Sequence, residues 1–263
     1  MKELLIFELY KSKRKYRMLL LGMIISMIFS IIYITCKSVY YHYNMSFYDY
    51  FYYYFRGIEK IKIKRIDFPI NYAIRIIINI MLVIIVFFGN AIENTFSIIL
   101  RTNNRKKYIL SKIIVIVGYS VITNIVAMAF LKISSVIFKL FLWNDNNMNG
   151  FIFDYYKVSG TYLDIDLKQR FLLIIVVDCI LLLMQIVISN YNFLVAVLIT
   201  LVVHLVSIIY VNPVLFLNFY MIGRIWENEI KNVNYSLLLF VFVIVLFLLI
   251  NLQCKIIKRR DII

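Results

Sequence analysis

Acidic side chains are scarce in this 263-residue chain, 14 against 29 basic ones, and charged residues of both signs make up only 16% of it. An ordinary soluble domain is roughly 25% charged and about half apolar, whereas 63% of this chain is apolar. One aqueous core could not bury that much, so a soluble globular domain is excluded. Turn formers are equally rare, 7 Gly and 2 Pro, which argues against a sandwich or barrel built on many tight turns. Catalytic signatures are missing as well: there is no GxxxxGK[ST], HExxH, CxxC, G-x-S-x-G or Gly-rich dinucleotide fingerprint, and the two histidines, His42 and His204, lie far apart. The chain therefore has no phosphate-binding loop of its own, and a membrane metalloprotease or serine hydrolase finds no support.

Long hydrophobic runs are what the chain has in abundance. About 18 apolar residues with few charges suffice for a transmembrane helix, and six segments qualify: 18–36, 70–92, 108–131, 171–189, 191–212 and 236–254. The expected fold is an all-α integral membrane protein forming one transmembrane domain over residues 1–263. An even number of crossings puts both termini on one side. Lys2, Lys11, Lys13, Arg14, Lys15 and Arg17 crowd the entry to the first span, and Lys255, Lys258, Arg259 and Arg260 follow the last. Asp49, Glu59, Asp67, Asp145, Asp154, Asp164, Asp166, Glu227 and Glu229 all fall on the opposite side. By the positive-inside rule the termini are expected in the cytoplasm. The net charge of +15 then reads as attraction to anionic headgroups and as a topology signal, with no nucleic-acid partner expected.

The first span is longer than a signal-peptide core and lacks a small-x-small site before Lys37, so it is expected to be retained. Residues 1–17 carry Leu5, Leu9 and Ser12 on one stripe among basic residues, as in an amphipathic helix lying on the headgroups or a simple topology anchor. Cys36, Cys179 and Cys254 fall at three different membrane depths, which forbids pairing and leaves them as packing residues.

Between the first two spans, eight tyrosines crowd the stretch from Lys37 to Arg56. Rings with a polar tip suit an interfacial belt; the alternative is an outer surface on which Tyr48, Tyr52, Tyr53 and Arg56 meet an amphipathic or anionic substrate. Residues 58–65 then alternate apolar and charged and read as an extended edge. Between spans two and three, Glu93 opens and Arg101, Arg105, Lys106 and Lys107 close a short amphipathic stretch, an order that suits a helix macrodipole. The 132–170 segment, with Asp164 and Asp166, lacks the ligand spacing of a calcium loop and reads as solvated loop, so no metal is expected.

Two titratable residues stand out within the spans, Asp178 and His204. Each lies thirteen residues from Tyr191, so an antiparallel hairpin places both about 20 Å from the turn at 1.5 Å per residue. They are expected to pair near the bilayer centre, as glue between helices or, alternatively, as a working proton site.

In three places the chain resembles the membrane subunit of ATP-binding cassette exporters of the ABC-2 permease class. FELYKSKRKYR at 7–17 is similar to the family's interfacial elbow helix, ENTFSIILRTNNRKKYILSK at 93–112 to its cytoplasmic coupling segment, and KIIKRRDII at 255–263 to its basic tail. Asn94-Thr95 stands where the family commonly has a small residue and a Gly-Thr pattern. The resemblance implies a cytoplasmic coupling helix at 93–107 that docks, through Glu93, Asn94, Thr95, Arg101, Arg105 and Lys106, on a separate ATPase. That ATPase would hold ATP and Mg, and this chain no cofactor and no catalytic residue. It further implies a second permease chain, the same or different, and export from a bacterial plasma membrane. Small Ile-, Lys- and Asn-rich permeases of this kind resemble those that move antimicrobial or amphipathic peptides or protect against them. A non-transporting sensor or scaffold, and a stand-alone membrane enzyme, are the competing classes.

Overall fold

The computed structural model describes residues 1–43, 45–57, 70–88, 105–142, 167–210, 212, 215–221 and 234–259. Among them there is no strand, and the order of elements is α1 (Lys2–Tyr40), α2 (Phe47–Phe55), α3 (Ile70–Val83), α4 (Arg105–Leu142), α5 (Leu167–Ser189), α6 (Phe193–Ile209) and α7 (Tyr235–Arg259). A π-helical turn, Ile84–Phe88, prolongs α3, and a 3-10 turn, Phe216–Tyr220, stands between α6 and α7. Five of these, α1, α3 with its π turn, α4, α5 and α7, are long and apolar enough to cross a membrane. The protein is thus a multi-pass membrane protein, all-helical over its described elements. The expected fifth span forms a 17-residue apolar helix, α6, at the short end of what reaches across a hydrocarbon core of about 30 Å.

Two expected boundaries are corrected. The amphipathic segment 1–17 and the span at 18–36 are a single unbroken helix of 39 residues, about 58 Å long. The physical reason is in the sequence: Lys, Arg, Leu and Met carry the chain through the junction, and neither Gly nor Pro interrupts it before Gly22. Likewise α4 runs on to Leu142, so 132–142, expected as loop, is helix. The extended stretch 58–65, Asp164, Asp166 and most of the coupling segment lie outside the described residues.

Directions within the bundle follow from cross-helix contacts. Ser12 and Tyr16 of α1 meet Tyr119 and Thr123 of α4, so these two helices run parallel. Asn190, just past the end of α5, donates to Gln253 near the end of α7 at 2.7 Å, making that pair parallel too. Helix α6 carries the chain back between them. Its start is capped by Asn192, whose Oδ1 accepts from the Leu194 and Val195 amides, and its end is stapled to the 3-10 turn by Asn218, which donates to the Tyr210 and Asn212 carbonyls.

Helix α5 is the centre. Leu173, Ile174, Val177, Ile180, Leu182 and Ile186 are buried around its whole circumference, as a helix surrounded by others requires. It packs on α3, α4, α6 and α7. By contrast α6 and α7 present Leu198, Val202, Leu205, Phe240, Val243 and Phe247 outward, apolar faces suited to lipid. Cys36, Cys179 and Cys254 are free.

Candidate functional site

The bundle buries a charged node at the midpoint of α5. Asp178 lies eleven residues from either end of that helix, about 16 Å, and is almost wholly buried. Three donors from two neighbouring helices converge on its carboxylate. Asn79 Nδ2 of α3 donates to Oδ1 at 2.7 Å, Asn124 Nδ2 of α4 to Oδ2 at 2.8 Å, and Arg75 Nη2 of α3 to Oδ2 at 3.4 Å. A carboxylate at membrane depth is costly unless paired and fully hydrogen-bonded, and these partners supply both conditions.

Arg75 is held mainly by rings. Its guanidinium lies 4.4 Å from the centroid of Phe55, at the end of α2, and 3.8 Å from that of Tyr220, at the end of the 3-10 turn. Both distances are well inside the range of cation–π attraction, which strengthens where water is excluded. Asn71, Arg75 and Asn79 recur every four residues and share one face of α3; Asn71 accepts from Ser30 of α1 at 2.5 Å. The node therefore ties α1, α2, α3, α4, α5 and the 3-10 turn together.

Asp178 and His204, expected to pair with each other, have different partners. His204, buried on α6, shares a hydrogen bond of 2.7 Å between its Nδ1 and the Tyr72 hydroxyl. Equal depth from the turn is not sufficient for contact, because the azimuth of each side chain on its helix decides which neighbour it meets. Asp178 faces α3 and α4; His204 faces the first turn of α3. Tyr72 still links the two sites at one remove, since it lies one turn from Arg75 and its ring is 6.0 Å from that of Tyr220.

The tyrosine-rich segment is helical. It forms α2, with Tyr50, Phe51, Tyr52, Tyr54 and Phe55 buried, and of the residues expected at an outer substrate surface Tyr52 is buried while Tyr48, Tyr53 and Arg56 are half-buried. Asp49 starts the helix by accepting from the Ser46 amide at 2.7 Å and the Ser46 hydroxyl at 2.6 Å. Tyr50 then bonds Thr35 of α1 at 2.9 Å and packs edge-on against Phe138 of α4. From there α2 descends until Phe55 reaches Arg75. Burial pushes the Tyr50, Tyr53 and Tyr54 phenols up to about 12, so they are neutral at any physiological pH.

Between α2 and the node lies a small cavity, lined by Met23, Tyr54, Ser120, Ala127 and Tyr220 as well as by the node itself. Its free volume of about 10 Å³ is room for one water. The Ser120 and Tyr220 hydroxyls that border it are buried and meet no well-aligned protein partner.

A separate network joins α1 to α4. Ser12 Oγ and Tyr119 Oη lie 2.8 Å apart, Tyr16 Oη and Thr123 Oγ1 3.2 Å apart, and the Tyr16 and Tyr119 rings stack with centroids 3.8 Å apart. Of the expected coupling residues, Glu93, Asn94, Thr95 and Arg101 lie outside the described residues, and Arg105 and Lys106 are the opening residues of α4.

The sequence reading singled out Asp178 and His204 within the spans and missed Arg75, Asn79 and Asn124. The signal was present: three polar residues four apart in an otherwise apolar run mark the inward face of a membrane helix. Comparison of the chain with protein-family models, with curated proteins and with solved structures finds no match.

Proposed function

We propose that the chain is the membrane-spanning permease subunit of an ATP-driven exporter of the ABC-2 class. In this reading α6 is the fifth of six crossings, both termini face the cytoplasm of a bacterial cell, and residues 93–107 dock on a separate ATPase chain that holds ATP and Mg. A second permease chain completes the pathway, and the cargo is an antimicrobial or otherwise amphipathic peptide. The observation that carries the reading is a polar chamber at mid-bundle, reached by two short non-spanning elements, in a chain without a phosphate-binding loop. Interrupted or re-entrant backbone at membrane depth is tolerated where it is buried in protein or lines a cavity, and transporters place binding sites near the midplane at such breaks. Opening that chamber in one direction needs an energy source, which another chain must supply. The parallel course of α5 and α7 supports six crossings, because α6 has to return the chain between them.

The test is gentle purification from the native membrane followed by mass spectrometry. A stoichiometric ATPase carrying a phosphate-binding loop, together with a second permease, is the expected result; a solitary chain stable without partners overturns the reading. Charge reversal at both Glu93 and Arg105 should weaken recovery of the ATPase, and unchanged recovery would sink the coupling assignment. The sensor or scaffold reading draws on one observation, that the chamber has room for a single water in this structure. It predicts partner binding without ATP-dependent movement of substrate in vesicles.

A further inference from the structure

The end of α2 and the 3-10 turn come from different connections of the chain, yet they meet directly over Arg75. Phe55 covers one part of the guanidinium and Tyr220 another. Immediately beyond them Gly57 lies against Met221: a Cβ on Gly57 would overlap Met221 Cγ and stand 2.6 Å from its Cβ and 3.0 Å from its Cα. Gly57 also has a φ of +70°, a conformation that suits glycine and few other residues. The two elements thus close on each other through a contact that tolerates no side chain at Gly57. Behind it lie buried hydroxyls on Ser120 and Tyr220 that meet no well-aligned protein partner and border a cavity with room for one water.

We infer that α2 and the 216–221 turn form a two-part plug, latched at Gly57 and Met221, over an intramembrane binding site for a polar group without net charge. The ligand class follows from the node. Arg75 and Asp178 cancel in formal charge, so a guest with a net charge would be left uncompensated in a medium of low dielectric. A neutral or zwitterionic group can instead complete the Ser120 and Tyr220 hydroxyls and the guanidinium donors that Asp178 does not use. Withdrawal of the plug would expose these groups together. This inference does not depend on an ATPase partner and survives if the exporter reading fails.

The experiment places a cysteine at Ser120, a near-isosteric change, in a chain whose Cys36, Cys179 and Cys254 are replaced by alanine. The purified protein is held in lipid nanodiscs, and modification by the neutral reagent methyl methanethiosulfonate is timed. With the plug intact, modification should be slow. Gly57→Ala, which forces a Cβ onto Met221 and strains a backbone held at φ +70°, should accelerate it at least tenfold. Phe55→Ala takes the ring off Arg75 without touching the latch and should also expose the thiol, with the far-ultraviolet circular dichroism unchanged. Equal rates in all variants overturn the inference. So does loss of the folded chain in both Gly57→Ala and Phe55→Ala, because α2 would then be core rather than a movable plug.

Discussion

Two polar regions of this bundle solve the same problem differently. At the α1–α4 seam, Ser12, Tyr16, Tyr119 and Thr123 pair through neutral hydroxyls, on the same two helices as the buried Glu8 and Lys112, and several have local backbone carbonyls as fallback partners, such as Glu8 O for Ser12 and Tyr119 O for Thr123. At the centre, Asp178 and Arg75 bring formal charges and depend on groups from other helices. The seam aligns two helices and loses little when one bond is removed. The node fixes the mutual positions of several elements and leaves an orphaned charge when broken. Cost in the low-dielectric interior scales with what is left behind rather than with the number of bonds removed.

The largest effect is expected from Asp178→Leu. It strands the Arg75 guanidinium in the bundle and should cost about 3–5 kcal/mol, the range for breaking a buried pair from one side, read as a collapse in folded yield. A normal yield with abolished transport would instead make Asp178 a working site. Next comes Asn124→Leu, which removes one of the two short bonds to the carboxylate while leaving the ion pair. A hydrogen bond to a charged group is worth about 1.5–3 kcal/mol, so the variant should unfold at measurably lower denaturant in mixed micelles; an unchanged midpoint would show that Asn79 and Arg75 suffice.

Tyr72→Phe should be milder. It deletes the bond to His204, and hydrogen bonds between membrane helices average about 0.6 kcal/mol with a maximum near 1.7. Amide exchange should rise in α6 more than in α5, and a uniform rise would contradict a local role. Tyr119→Phe is expected to be the smallest, at most about 0.6 kcal/mol, because Ser12 keeps its bond to the Glu8 carbonyl and the ring stack with Tyr16 survives. A loss comparable to that of Asp178→Leu would erase the distinction between seam and node.

Much of this was legible in the sequence, and the failures have physical causes. The apolar runs pointed to an all-helical membrane chain, because length and hydropathy suffice for that; six crossings were expected, and five helices are long and apolar enough to cross a membrane. Asp178 drew attention because a carboxylate in such a run needs a partner, but its partners could not be named from depth alone. Arg75 and Asn79 sit on the same face of α3, and that periodicity would have pointed to them. The fate of the tyrosines was not legible: a phenol ring suits a headgroup belt or a buried contact equally well. What turned α2 inward was tertiary, the Thr35 and Phe138 contacts of Tyr50 and the Arg75 contact of Phe55. The unbroken course of α1 agrees with its sequence, since a sharp kink needs a breaker and none stands between Lys2 and Gly22.

The central claim is that Arg75 and Asp178 hold the bundle as a mutually compensating pair, and a double-mutant cycle with Arg75→Leu and Asp178→Leu tests it most directly. Each single change should destabilise strongly, while the double change, which leaves no stranded charge, should recover at least half of the larger loss. A double variant as unstable as the sum of the two singles would show that the pair does not compensate, and would contradict the node as the organising centre of the protein.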